Sequence, residues 1–200
     1  MKYNIQLLLM ALTIQACTVT KSPLEIFSKG MEQYATNATE MNNEIRSLAD
    51  KGALIIDYTE SSFAWTKKAQ HLMLVYQDKI WKGYKYEMDL SGGSSGAVLL
   101  NPLEIRTAAC DSLLTFINNA QLWNMSTQGF ITNCGEKKCN ITDANTSSIM
   151  LIYGNKISAA SMYAPHFMTQ CCPENQNLKN FVSTIDIMSN LVETKEGALY

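Results

Sequence analysis

The chain has 200 residues, of which 46% are hydrophobic and 17% are charged, as in an ordinary globular protein of one domain. These proportions exclude a disordered chain, and the formal net charge of −2 excludes the concentrated positive field that nucleic-acid binding needs. We therefore expect a folded protein without a nucleic-acid partner.

The first residues have the organisation of a secretory signal. Lys2 provides a positive charge, and the apolar run at residues 5–14 is too short for a transmembrane helix, which needs about 20 residues. The run ends in Ile-Gln-Ala-Cys at residues 14–17. These four residues resemble the lipobox of bacterial lipoproteins, in which the chain is cut before the cysteine and the thiol of that cysteine is lipidated.

The resemblance to the lipoprotein class implies a signal peptide over residues 1–16, an acyl lipid on Cys17 and a tether over residues 17–38. The lipid would hold the protein to a membrane of the cell envelope, facing the periplasm. The alternative is ordinary secretion after the same cleavage, with Cys17 left as a thiol or a disulfide partner. Four N-x-Ser/Thr sequons favour that alternative in a eukaryotic source, and they lie at Asn37, Asn124, Asn140 and Asn145.

The folded domain is expected to span residues 39–200 and to begin with a short helix. Thr39 is the predicted N-cap of that helix, apolar residues recur at helical spacing up to residue 48, and Gly52 ends it. Residues 53–58 are mostly apolar and predict a strand.

A seven-residue motif then occurs twice, as Leu-Val-Tyr-Gln-Asp-Lys-Ile at residues 74–80 and as Leu-Ile-Tyr-Gly-Asn-Lys-Ile at residues 151–157. Each copy places a polar pair between two strand-like segments. The pattern is typical of a β-hairpin with a tight turn. We predict hairpins over about residues 71–90 and 148–164.

A helical pattern follows each hairpin. Apolar residues recur at helical spacing over residues 113–123, with Asp111 or Ser112 as the cap, and again over residues 178–192, with Asn175 or Asn177 as the cap. The order hairpin, cysteine, helix therefore repeats, and it predicts a duplicated ββα unit over about residues 71–123 and 148–192. The expected fold is α+β, with one antiparallel sheet of two hairpins and helices packed on one face.

The cysteines predict structural disulfides. Cys134 and Cys139 enclose a four-residue polar turn, which favours a local disulfide between them in an oxidising compartment. Cys110 is then expected to bridge to one of the adjacent pair, Cys171 or Cys172. A lipid on Cys17 leaves an odd number of cysteines and one unpaired thiol, whereas an unlipidated Cys17 allows three bridges.

Two groups of residues match sites with a chemical function, a serine hydrolase and a zinc site, but the sequence favours neither. Residues 92–96 match G-x-S-x-G around Ser94, and Asp143 and His166 follow in the order of a serine hydrolase. That motif requires a helix directly after the serine, which the Asn-Pro pair at residues 101–102 cuts short. A zinc site at His166 and the cysteine pair 171–172, with Cys134 and Cys139, competes with disulfide formation. We expect no catalytic residues, no metal and no cofactor.

The remaining candidate is a binding surface on the first hairpin, where aromatic and cationic side chains concentrate at Trp81, Lys82, Tyr84 and Lys85. Such a strand is suited to a glycan, an anionic lipid or a partner protein, and its alternative is a half-solvated strand. The sequence thus favours a membrane-anchored, non-catalytic binding module, with a protein or glycan partner, in envelope maintenance or as an inhibitor or immunity-type protein. The alternative is a small envelope serine hydrolase that uses Ser94.

Overall fold

A computed structural model describes residues 22–37, 41–61, 68–89, 99–125, 127, 139, 141–142 and 144–191. Over these residues the chain forms an α+β domain with one seven-stranded antiparallel sheet and five helices packed against it. The helices are α1 (Pro23–Tyr34), α2 (Asn43–Asp50), α3 (Thr107–Ala120), α4 (Pro165–Cys171) and α5 (Gln176–Leu191). The strands are β1 (Thr36–Asn37), β2 (Leu54–Ser61), β3 (Lys68–Gln77), β4 (Ile80–Asp89), β5 (Asn101–Leu103), β6 (Thr146–Tyr153) and β7 (Lys156–Tyr163).

The strand order is β1-β7-β6-β2-β3-β4-β5, so β2 lies between the first strands of the two hairpins. Ile56 in β2 pairs with Leu74 of β3 on one side and with Leu151 of β6 on the other. The α+β class and the single antiparallel sheet are therefore confirmed, and so are the two hairpins, whose strands begin and end within a few residues of the predicted bounds.

The two hairpins diverge at their turns. The first turns at Asp78 and Lys79, which both have positive φ values of 53° and 64°, whereas the second turns at Gly154 and Asn155, where Gly154 has φ 56°. In the aligned motif the second turn comes one position earlier than the first. The sequence repeat is therefore matched in the structure only as far as the tyrosines that precede the turns.

The handedness of the two hairpins also differs. Leu74 and Leu151 pair with the same residue, Ile56, and their side chains therefore point to the same face of the sheet. Strands β3 and β6 run in the same direction, yet β4 and β7 lie on opposite sides of them. Two such units are mirror images in arrangement, which a rotation cannot superpose. The predicted ββα duplication is not confirmed.

One face of the sheet, here called the helix face, carries α1, α3 and α5. The core between them contains Leu54, Ile56 and Leu151 from the strands, and Ile117 and Phe181 from the helices. The buried apolar residues of α5 follow the predicted i, i+3, i+4 spacing. Asn175, one of the two predicted caps, accepts a 3.0 Å hydrogen bond from the amide of Leu178 with its side chain. Helix α3 starts earlier than predicted, at Thr107, without a side-chain cap.

Helix α1 corrects the predicted domain boundary. Residues 23–34 belong to the stretch assigned to a tether, but Phe27 and Met31 are fully buried in the helix-face core. Ser22 caps the helix by accepting a 3.2 Å hydrogen bond from the amide of Glu25. Burying two large apolar side chains stabilises the fold by about 3–6 kcal/mol, so α1 is part of the folded domain.

Helix α2 packs on the opposite face of the sheet, here called the far face. Ile45 and Ala49 contact a cluster that includes Ile55, Val75 and Ile152 from three adjacent strands. The helix begins at Asn43 with Asn42 as its cap, and the predicted cap, Thr39, lies outside the described residues. In the part of the chain that the structure describes, no helix is long and apolar enough to cross a membrane.

Candidate functional site

The predicted binding strand does not present one surface. Trp81 is only 6% exposed, and its indole N–H donates a 2.8 Å hydrogen bond to Oδ1 of Asp111 on α3. Trp81 and Lys85 point to the helix face, whereas Lys82 and Tyr84 point to the far face, because side chains alternate along β4 without a bulge. The interpretation of Trp81 as an exposed contact residue is therefore wrong, and the four side chains do not converge.

The hydrolase constellation is tested only at one of its members. Ser94 and Asp143 lie outside the described residues, so their contribution stays a prediction. His166 lies on α4, and Nε2 of its imidazole is 2.8 Å from Oδ1 of Asp186 on α5. The side chains of both residues are more than half exposed.

The disulfide pairing differs from the predicted one. Cys139 is bonded to Cys171, with their Cα atoms 6.1 Å apart, and not to its neighbour Cys134. Just before α4, the amide of Ala164 donates a 2.9 Å hydrogen bond to the carbonyl of Asn145, and α4 carries Cys171 at its end. Cys172 is also disulfide-bonded. These bonds occupy thiols that the zinc alternative required.

Cys110 is a free thiol, which contradicts its predicted bridge to the 171–172 pair. It lies on the inner side of α3 and is fully buried. Burial and the adjacent Asp111 carboxylate raise its pKa to about 11. Because the thiolate is the reactive form, this environment protects the thiol from oxidation.

A buried polar cluster lies on the far face, across β2, β3 and β4. Nδ1 of His71 is 2.8 Å from Oδ2 of Asp57 and 2.9 Å from Oγ1 of Thr59. The phenol of Tyr86 donates a 2.8 Å hydrogen bond to the same Asp57 oxygen, and its ring stacks on the imidazole at a centroid distance of 4.2 Å. These contacts tie together three neighbouring strands.

The environment of this cluster indicates a structural role. Asp57 is 0% exposed and His71 is 7% exposed, so a substrate has no access to either side chain. Burial raises the pKa of Asp57 above its usual 3.8, and the hydrogen bonds and charge of its partners oppose that rise without cancelling it. No residue in the described part of the chain bonds to Oδ1 of Asp57, which adds to the penalty for ionising this carboxyl. Sequence analysis did not identify this cluster, although its signal was Asp57, a charged residue directly after the apolar residues 53–56.

A second polar arrangement is open to solvent. The sheet, α4 and α5 enclose a cleft of about 680 Å³, here called the end cleft, at the end of the helix face. Tyr58, Glu60 and Ser147 form its floor on β2 and β6, and Glu60 and Ser147 are directly paired across the two strands. The further lining residues are Ile141, Ala144, Asn145, Ala164, Pro165, His166, Phe167, Ile185, Asp186, Ser189 and Asn190.

The charged groups of the end cleft are acidic apart from the histidine. Oε1 of Glu60 accepts a 2.7 Å hydrogen bond from the side-chain amide of Asn145, and Asp186 contacts His166. No lysine or arginine occurs among the described residues that line the cleft. Ser147 is only 4% exposed. Of these residues, sequence reasoning had singled out only His166 as a site residue.

Among the described residues, no group of three or more His, Cys, Asp or Glu side chains is arranged to hold a metal ion. A comparison with models of known protein families gives no match for this chain. A search of curated proteins gives no significant match either.

Proposed function

We propose that the protein is an exported, lipid-anchored binding protein that acts without catalysis, and that the end cleft is its ligand site. The observation that carries the proposal is the cleft itself. Its volume of about 680 Å³ lies within the range of about 300–1,000 Å³ that is usual for ligand pockets. Its floor belongs to the two central strands and its walls to α4 and α5, and these elements hold the polar groups in fixed positions.

The contacts within the cleft support binding over catalysis. Nucleophilic catalysis needs a hydroxyl or thiol within hydrogen-bond reach of a base. The imidazole of His166 instead contacts the Asp186 carboxylate, and no described serine, threonine or cysteine side chain bonds to the ring. Glu60 is held by Asn145. These groups are placed to recognise a polar ligand.

The lipid anchor is supported by the lipobox-like residues 14–17, and the cysteine pairing offers a test of it. Cys172 is disulfide-bonded, and because Cys139 is bonded to Cys171 and Cys110 is free, the remaining cysteines of the sequence are Cys17 and Cys134. A lipid on Cys17 requires Cys134 to be the partner. Peptide mapping of non-reduced protein from bacterial membranes should then yield a Cys134–Cys172 peptide, together with an acylated N-terminal Cys17. A Cys17–Cys172 peptide would refute the anchor.

The binding role is tested against the hydrolase alternative with a fluorophosphonate probe. We expect no labelling of the purified full-length protein. Labelling of the wild type that is lost in Ser94→Ala would overturn the non-catalytic proposal. The matched control is Ser28→Ala, since Ser28 lies on α1 and outside the lining of the end cleft.

The proposed role in the envelope requires a protein or glycan partner that binds at the end cleft. Co-purification from envelope extracts should give the same partner with the wild type and with Lys85→Ala, because Lys85 lies outside the cleft. Asp186→Ala should reduce recovery of that partner. Equal recovery with all three proteins would place the binding surface elsewhere and count against the end cleft.

A further inference from the structure

We infer that a lipid bilayer contacts the end of the sheet where the two hairpins turn, here called the turn end, and that the end cleft opens on the side away from it. This inference rests on the proposed function, because it requires the lipid on Cys17. It follows from the contacts that hold the start of α1, from the length of chain between the lipid and α1, and from the side chains exposed at the turn end.

Two rows of paired residues mark the opposite ends of the sheet. The row at the turn end consists of Trp81, Tyr76, Leu54 and Tyr153. The row at the end cleft consists of Glu87, Gln70, Glu60 and Ser147. Six steps along β2 separate the two rows, and at about 3.4 Å per residue this places them about 20 Å apart. The turn end and the end cleft therefore lie at opposite ends of the strands.

The start of α1 is held over the row at the turn end. The ring of Phe27, one turn into α1, packs against Tyr153 of that row with the ring centroids 6.4 Å apart. The side-chain amide of Asn118 on α3 donates a 2.7 Å hydrogen bond to the carbonyl of Pro23, the first residue of α1. Helix α3 is itself bonded to the row, because Asp111 accepts the indole N–H of its tryptophan. The chain therefore enters α1 at the turn end.

The connection between the lipid and α1 is short. Ser22, which caps α1, comes five residues after Cys17 in the sequence. Even a fully extended chain of five residues spans at most about 18 Å. This reach is less than the separation of about 20 Å between the two rows. A lipid on Cys17 therefore brings the turn end to the bilayer and leaves the end cleft on the distant side.

Exposed apolar and aromatic side chains at the turn end suit a bilayer surface. Ile80, next to the turn of the first hairpin, is 57% exposed. Tyr34 is 50% exposed and comes just before β1, where Thr36 pairs with Ile157 directly after the second turn. Apolar side chains and tyrosines are favoured at the boundary between lipid headgroups and acyl chains. Burial of these two side chains against lipid would remove apolar surface from water.

The charges at the two ends of the sheet favour the same orientation. Residues 50–54, 76–81 and 153–157 form the turn end, and in these ranges Lys51, Lys79 and Lys156 outnumber Asp50 and Asp78. The row at the end cleft contains two glutamates and no lysine or arginine. Lysines are attracted to anionic lipid headgroups and carboxylates are repelled by them. An anionic bilayer is therefore the occupant that the turn end fits.

Fluorescence quenching in vesicles tests the orientation. The full-length lipidated protein from bacterial membranes is reconstituted into vesicles of phosphatidylethanolamine and phosphatidylglycerol that contain a lipid with a nitroxide on its headgroup. A thiol-reactive fluorophore is attached at the turn end, in Lys79→Cys or in Asn155→Cys. The matched control is Gln70→Cys, because Gln70 is an exposed residue of the first hairpin in the row at the end cleft. The fully buried thiol of Cys110 is shielded from the fluorophore.

We expect the fluorophore at Lys79→Cys and at Asn155→Cys to lose most of its fluorescence, and the one at Gln70→Cys to keep it. The two turn-end positions lie in different hairpins, so either variant alone is sufficient if the other does not fold. Thermal melting and mapping of the Cys139–Cys171 peptide confirm the fold of each labelled protein.

Two results would overturn the inference and leave the proposed function in different states. Equal quenching at both ends, or stronger quenching at Gln70→Cys, in a protein that carries the lipid would refute the orientation and keep the lipid-anchored binding protein. A protein without an acyl group on Cys17 that does not float with the vesicles would refute the orientation and the anchor together.

Discussion

Asp57 and His71 form a carboxylate–imidazole contact of 2.8 Å inside the sheet, and His166 and Asp186 form one of the same length at the surface. The first pair is almost fully buried, whereas the side chains of the second are 58% and 57% exposed. Identical distances therefore lead to different energies, because solvent screens the exposed pair and the buried partners depend on each other.

His71→Leu should destabilise the protein by about 3–5 kcal/mol, because the buried Asp57 carboxyl loses its imidazole partner. The matched control is His166→Leu, which removes the exposed pair and should cost at most about 1 kcal/mol. Urea unfolding followed by circular dichroism measures both values. Similar losses in the two variants would mean that the buried contact contributes no more than a surface ion pair.

The free energy of unfolding should depend on pH through the ionisation of the Asp57 carboxyl. Burial raises its pKa in the folded state above 3.8, so the folded protein holds this proton more tightly than the unfolded chain. The stabilising contribution is complete below about pH 3.8 and is lost as the pH rises through the folded pKa. In Asp57→Asn this contribution is absent.

Urea unfolding of the wild type and of Asp57→Asn over about pH 3 to 7 isolates the Asp57 carboxyl together with its contacts to His71 and Tyr86, because groups away from this cluster contribute equally to both proteins. The wild type should lose stability relative to Asp57→Asn as the pH increases. Parallel curves would show that Asp57 has the same pKa in both states.

Tyr86→Phe should cost about 1–3 kcal/mol, because it keeps the ring that stacks on His71 and removes the hydroxyl that donates to Asp57. Tyr84 offers a matched control on the same strand, since it is only half-buried and lies outside the cluster. We expect Tyr84→Phe to change the free energy of unfolding by less than about 0.5 kcal/mol. Equal effects would indicate that the phenol of Tyr86 bonds equally well to water.

The features that the sequence predicted are local ones. The hairpins follow from strand alternation around two-residue turns, and α5 follows from its apolar stripe and from Asn175 at its start. Helix α1 lies in the stretch that the sequence assigns to a tether, because the helical pattern there is weaker than in the other helices, although Phe27 and Met31 are buried. Their burial depends on contacts with α3 and with the turn around Trp123, which are distant in sequence.

The end cleft was beyond the reach of sequence reasoning for the same reason. Glu60, Ser147 and Asp186 come from β2, β6 and α5, and only the strand order places them together. Strand order is decided by long-range pairing, and β2 inserts between two hairpins that are themselves local. The disulfide of Cys139 with Cys171 likewise depends on where α4 packs, which the spacing of the cysteines does not encode.

Cys110 should be unreactive in the native protein. Its pKa of about 11 leaves about one thiolate in a thousand at pH 8, and the side chain is fully buried. Treatment with iodoacetamide at that pH, followed by peptide mass mapping, should leave the Cys110 peptide unmodified. The same treatment in guanidinium chloride should modify it completely. Rapid labelling without denaturant would contradict the burial of this thiol beneath α3.

Gly30 allows α1 to approach the indole of Trp123, since a Cβ atom at this position would overlap the ring. Gly30→Ala improves helix propensity by about 1 kcal/mol, but the ring has little room to move because it is buried and packs edge-to-face against Phe27. Overpacking of this kind costs about 1–3 kcal/mol, so we expect a net loss of stability. The control is Gln33→Ala on the exposed side of α1, which should be neutral or slightly stabilising. Thermal melting compares the two variants with the wild type, and a higher melting temperature for Gly30→Ala would show that helix propensity outweighs the contact with Trp123.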